Sequence, residues 1–309
     1  MKIHILKLAL AAACLLSQHA FALGGGAASA TARVLRVDDI AAMQDGSSDF
    51  PPGSTGTLVS PEGHVITSDR LVKDGDAAFG VSYLVLFPVY ADGTVQAVRA
   101  CLAVSQARGG DSRLLVLKIN AGGLPDSVAV SDAEPEMCRE FEIVGYPETV
   151  AKGMTEEART MATAELKRLC REACAHGAAE TSNGRGNRLA EYVAPKSECS
   201  RVAGHSRSRD ADMLIEFQAR IDNDNVGAPL IDEADGRLLG IATGDVSTQA
   251  PYSIAQGARA VQALAQAHGI KLEPSAEGGL LPYLAGAAVV LLIVAVPPVL
   301  SKRRGKARN

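Results

Sequence analysis

Apolar residues recur along the chain in short runs, each closed by Gly, Asp or Pro. Gly56-Thr57-Leu58-Val59, His64-Val65-Ile66-Thr67 and Val81 to Phe87 open the series, and Val95 to Val104, Leu114 to Ile119 and Phe141 to Gly145 continue it. Met213 to Phe217, Pro229 to Ile231, Leu238 to Thr243 and Tyr252 to Ile254 complete it. Runs of this length, rich in β-branched residues, predict strands. Pro61-Glu62-Gly63, Ala91-Asp92-Gly93 and Ala234-Asp235-Gly236 sit between runs as hairpin turns. Regular short strands predict an all-β sandwich or a pair of barrels. One helix stands out, Ala258 to His268, with Gly269 as its stop.

Two segments are ambiguous by pattern. Ala158 to Leu169 has the Ala, Glu, Leu and Lys content of a helix, but Met161 and Thr163 also suit a strand. Cys170 to Arg209 is polar and holds Ser182-Asn183-Gly184-Arg185-Gly186-Asn187, which predicts a long surface insertion.

The ends differ from the middle. Lys2 and Lys7, an apolar run from Leu8 to Leu16 and the small-x-small triplet Ala20-Phe21-Ala22 predict a secretory signal peptide. Leu280 to Leu300 is uncharged and long enough to cross a bilayer, and Lys302, Arg303, Arg304, Lys306 and Arg308 follow it. Those cations, with Glu273 and Glu277 before the span, predict a cytoplasmic tail and an exported main domain. Of the 31 Lys and Arg residues, two lie in the first 22 positions and five after Gly278, with no acid in either stretch. The body therefore carries 24 cations against 35 acids. Such a surface repels phosphate backbones and argues against a nucleic-acid partner.

Cys101, Cys138, Cys170, Cys174 and Cys199 remain after the signal segment. In an exported domain they predict disulfides, with Cys199 joined to Cys170 or Cys174 to staple the insertion. Cys170-x3-Cys174 with His176 nearby is a poor metal site in an oxidising compartment, and neither metal nor cofactor is expected.

Several blocks, in order, resemble the trypsin-like (chymotrypsin-fold) serine proteases, nearest the bacterial high-temperature-requirement type. Gly53-Ser54-Thr55-Gly56-Thr57-Leu58-Val59-Ser60 and Gly63-His64-Val65-Ile66-Thr67 are similar to the family's first hairpin. Ala91-Asp92-Gly93 and Leu114 to Ile119 resemble the strands around its catalytic acid, and Leu124-Pro125 with Gly145-Tyr146-Pro147 resembles the entry to its second barrel. Gly227-Ala228-Pro229-Leu230, Gly236 to Ile241 and Tyr252-Ser253-Ile254 resemble its close. The resemblance implies two six-stranded β-barrels with a cleft between them. To reach six strands, it favours a strand at 158–169.

That family's chemistry needs a His base, an Asp to orient it and a Ser nucleophile beside backbone N–H donors. By the same resemblance the His position holds Arg70, the Asp position Arg113 and the Ser position Val226. The oxyanion-loop glycine is Asp224. A guanidinium stays protonated and valine has no nucleophilic atom, so no catalytic residue is expected. His205 and Ser206 adjoin in sequence but make a poor replacement pair. Arg70 and Arg113 should face each other across the cleft. Either Asp224, Asp222, Asp69 and Asp111 neutralise them, or they form an anion or peptide site.

The sequence thus predicts a signal peptide at 1–22, a lead-in at 23–49 and a trypsin-like domain at 50–270 with an insertion at about 170–211. A linker at 271–279, a transmembrane helix at 280–300 and a basic tail at 301–309 complete the order. The expected function is that of a pseudoprotease at the bacterial inner membrane, its main domain in the periplasm, binding a protein or peptide partner as scaffold or regulator. The alternative is an active serine endopeptidase with non-standard catalytic residues.

Overall fold

The computed structural model describes residues 26–273 except 74–75, 77–79, 110–111, 182–186, 208–212, 220 and 246–251. The expected signal peptide at 1–22 and the expected transmembrane helix at 280–300 lie outside the described residues. Among the described residues no helix is long and apolar enough to cross a membrane.

Two closed six-stranded antiparallel barrels carry the chain. The first is β1 (Thr31–Arg36), β2 (Gly53–Ser60), β3 (His64–Ser68), β4 (Ser82–Ala91), β5 (Thr94–Arg108) and β6 (Leu114–Ile119), closed by β4 pairing with both β1 and β5. The second contains β7 (Glu140–Gly145), β9 (Lys196–Arg207), β10 (Met213–Phe217), β11 (Pro229–Asp232), β12 (Leu238–Asp245) and β13 (Ser253–Gly257). A short strand β8 (Ala178–Glu180) adds to the outside of β5. The predicted turns sit where expected. At the β4–β5 hairpin both Asp92 (φ 52°) and Gly93 (φ 74°) take the left-handed region that a tight two-residue turn requires.

The sixth strand of neither barrel comes from 158–169. That segment lies in the helix α3 (Glu156–His176), preceded by the short helices α1 (Val37–Ala42) and α2 (Thr149–Gly153). The physical reason is legible in its caps and its period. Thr155 Oγ1 accepts from the Ala158 N–H at 3.2 Å, and Gly177 ends the helix in the left-handed region. Ala158, Ala162, Leu166, Leu169, Cys170 and Ala173 form one buried face with helical spacing. The missing strands are β1, in the supposed lead-in, and β9, in the supposed surface insertion. Helix α4 (Arg188–Tyr192) also lies in that insertion, and α5 (Ala258–Ala267) is the helix the pattern predicted.

No disulfide joins the five described cysteines, which are free thiols. Cys170 faces the core between α3 and the first barrel, where burial pushes its thiol up to about 12. Cys199 lies on the exposed part of β9 opposite Glu142, and the expected staple to Cys170 or Cys174 is not formed.

Helices α1, α3 and α4 cover the outer face of the first barrel, so β1 is buried on both faces. Ala32 and Val34 point into the barrel core, and Leu35 packs outward under the helical layer. Arg33 shares Leu35's face and is 1% exposed. Its guanidinium stacks 4.0 Å from the centre of the Tyr192 ring, which in turn stacks on Phe50 at 3.7 Å. It also donates to the Tyr146 carbonyl at 3.4 Å and ion-pairs with Asp224 in the loop before β11. Burial alone would lower its pKa, but the Tyr192 and Asp224 oxygens outweigh that and hold it charged.

Arg33 thus joins the first barrel, the helical layer and the second barrel. Replacing Arg33 by Leu strands the Asp224 carboxylate and should cost about 3–5 kcal/mol of unfolding free energy in urea titrations. Adding Asp224→Asn should restore part of that loss; strictly additive losses would show that the pair does not act as a unit.

Candidate functional site

A cleft of about 330 Å³ lies between the barrels and is lined by Ser68, Asp69, Arg70, Arg113, Val226, Thr243 and Gly244. The three positions that the sequence aligned with base, acid and nucleophile, namely Arg70, Arg113 and Val226, therefore meet in one place. Each reaches it by a different backbone device.

Arg70 sits on a single 3₁₀ turn, Asp69–Leu71, between β3 and β4, whose N-terminus is capped by Ser68 Oγ accepting from the Arg70 N–H at 3.3 Å. Buried Arg36 holds the turn from below, donating to the Leu71 carbonyl at 3.1 Å and ion-pairing with Asp76. Arg113 has φ 53°, uncommon for a side-chain-bearing residue, and its carbonyl accepts from the Asp69 N–H at 2.9 Å. That one bond ties the backbones of the two arginine segments together.

Val226 is 3% exposed, and the segment around it is pinned to β2. The Thr55 N–H donates to the Val226 carbonyl at 3.0 Å, and Thr55 Oγ1 donates to the Asp224 carbonyl at 2.9 Å. Gly227 has φ +94°, and a Cβ there would lie 2.0 Å from the Thr55 carbonyl oxygen, so only glycine fits.

The acids nearby are committed elsewhere. Asp224 pairs with Arg33, and Asp69 pairs with Arg108 at 2.7 Å. The Asp222 carboxylate accepts from the N–H groups of Glu148 at 2.9 Å, Asp224 at 3.2 Å and Asn225 at 3.1 Å. Asp111 lies outside the described residues. Among the described residues neither Arg70 nor Arg113 has an ion-pair partner, although Asp69 lines the same cleft.

A second cavity of about 510 Å³ shares Arg70 with the first and is also lined by Arg33, Asp49, Lys152, Arg159 and Asp224. Arg159, from α3, has a buried Nε with no hydrogen-bond partner. Sequence reasoning missed Arg33, Asp222's capping role and Arg159. Arg33 acts through contacts distant in the chain, Asp222 combines a local turn with one distant bond to the Glu148 N–H, and Arg159 was lost with the helix that carries it.

Among the described residues no histidine lines the cleft. His64, on β3, is buried with Nδ1 3.2 Å from Ser60 Oγ; burial, then Lys118, lowers its pKa. His205 and Ser206 are successive residues of β9, so their side chains point to opposite faces and cannot work as a pair. Among the described residues no group of three or more His, Cys, Asp and Glu is placed to hold a metal ion.

No curated protein matches the chain in sequence. Among solved structures, the serine endoprotease from Yersinia pestis aligns with TM-score 0.48 at 14% identity, covering 80% of this chain and 65% of that one. The chain thus spans a little under two thirds of that relative's length. Rv3671c from M. tuberculosis H37Rv, in an inactive mutant form, aligns with TM-score 0.49 at 13% identity, covering 80% and 90%. An HtrA-type protease, AlgW, with a tripeptide aligns with TM-score 0.47 at 16% identity, covering 79% and 62%. In sequence, the model of the trypsin-like peptidase domain matches residues 54–241. That match runs from β2 of the first barrel to β12 of the second and takes in more than half of the chain, which therefore belongs to the trypsin-like peptidase domain family.

Proposed function

We propose that this chain is a catalytically inactive trypsin-like protein that binds a protein or peptide partner in its cleft. The observation that carries the reading is the lining of the cleft itself: two guanidinium groups and a buried valine at the three positions the family uses for chemistry, with Ser68, Asp69 and Thr243 beside them and no histidine among the described lining residues. A hydrolytic site needs a base that can take a proton from a nucleophile near neutral pH, and a guanidinium cannot. The neighbouring loop supports the same reading. The Asp224 and Asn225 N–H groups donate to the Asp222 carboxylate, whose charge opposes an oxyanion forming beside them. The binding site is retained as a shape while the groups that would do chemistry are replaced.

The location belongs to the same proposal. The basic start with its small-x-small triplet, and the uncharged stretch Leu280 to Leu300 before five cations, support export and anchoring at a bacterial inner membrane. The partner would then be a protein or peptide of the cell envelope.

Full-length protein should leave casein and small esters intact and should not be labelled by a serine-reactive phosphonate. Single Val226→Ser should gain nothing, because no base would deprotonate it. Wild-type cleavage that survives repurification and disappears on a single substitution would overturn the inactive reading. Protease added to spheroplasts should remove the barrels and leave a short anchored stub; full protection would contradict the proposed topology.

A further inference from the structure

We propose that the two cavities sharing Arg70 form one trough that binds an acidic peptide segment through its side-chain carboxylates. This rests on the reading of the chain as a binding protein and names the chemistry of its partner.

The charge of the body points the other way, which is what makes the trough informative. Between the two ends 24 cations face 35 acids, so the molecule as a whole repels an acidic ligand. Yet the trough collects Arg70, Arg113 and Arg159, none with an ion-pair partner among the described residues. Nor can the acids around them easily turn to serve. Asp224 is drawn to Arg33, Asp69 to Arg108 and Glu148 to Lys152 at 2.6 Å, while Asp222 is held by three backbone N–H groups. Asp49 is the one trough-lining acid without an ion pair among the described residues.

The guanidinium forks match carboxylates in shape as well as charge. Arg159 reaches the second cavity from α3 without an ion-pair partner among the described residues, so a carboxylate entering there meets a guanidinium that is not already neutralised. Three guanidinium groups spread over two cavities exceed what the single terminal carboxylate of a peptide can satisfy. Side-chain carboxylates along an extended segment can meet them in series.

The test is fluorescence anisotropy with full-length protein and three labelled dodecapeptides. One alternates Glu and Ala with an amidated end. The second replaces Glu by Gln, and the third is the Gln peptide with a free terminal carboxylate. The Glu peptide should bind at least about tenfold tighter than either Gln peptide, and its affinity should fall as salt rises. Arg70→Gln and Arg159→Gln should each weaken it about tenfold. Asp49→Asn should tighten it, and Lys118→Gln, whose residue lines neither cavity, should leave it unchanged.

Equal binding of all three peptides would overturn the acidic preference while leaving a peptide-binding protein in place. Tightest binding of the Gln peptide with a free end would assign the trough to a chain terminus and overturn the proposal. Failure of every peptide to bind would also overturn it. The inactive reading itself falls only if hydrolysis is found.

Discussion

A charged guanidinium with almost no access to water is the constraint on which this structure turns. Arg33 can be buried because everything around it is arranged to receive a cation. The Tyr192 ring lies beneath it, the Asp224 carboxylate before it and the Tyr146 carbonyl at its edge. Those partners come from α4, the loop before β11 and the end of β7. A buried ion pair of this kind adds little net stability compared with apolar packing of the same volume, but losing one member is costly. Its effect is to make three parts of the fold mutually dependent. Three residues further along β1, Arg36 does the same for the 3₁₀ turn that carries Arg70. One strand therefore sets both the loop on one side of the cleft and the turn on the other.

This division of charges explains the character of the site. Most of the acids near the cleft are used internally, to hold Arg33, Arg108, Lys152 and a set of backbone N–H groups, with Asp49 the exception. Among the described residues Arg70, Arg113 and Arg159 have no ion-pair partner. Paired guanidinium groups of this kind suit the recognition of carboxylates. The proposed role as a binding protein follows from that arrangement, and the preference for carboxylates follows from which charges remain unpaired.

Much of this was legible in the sequence, for identifiable reasons. The β4–β5 hairpin is written in Asp92-Gly93, and the helix near the end in the spacing of Ala258, Val261, Leu264 and Ala265 before Gly269. The residues gathered in the cleft could be named because short blocks flanking each of them kept their order. Two barrel strands and the long helix were not legible. In β1 the alternation is broken by Arg33 and Arg36, whose burial depends on partners far along the chain. In β9 only Val202 is fully buried among the residues of known exposure, so the strand reads as polar. The helix at 156–176 was misassigned because a strand count taken from the resemblance outweighed the Thr155 cap, the Gly177 stop and the helical spacing between them. Arg33 is illegible because its partners lie far along the chain, and Arg159 because the segment that carries it reads as a strand under the resemblance.

The central claim is an asymmetry among arginines: Arg33 is locked, whereas Arg70 and Arg113 have no ion-pair partner among the described residues. It can be tested by measuring the rotation of arginine guanidinium groups in the free protein by ¹⁵N NMR, with assignment by single Arg→Lys substitutions. The account predicts slow rotation with resolved Nη signals for Arg33, and averaged signals for Arg70 and Arg113. Restrained rotation of Arg70 and Arg113 in the absence of any peptide would show that acids already hold them, and would contradict the account.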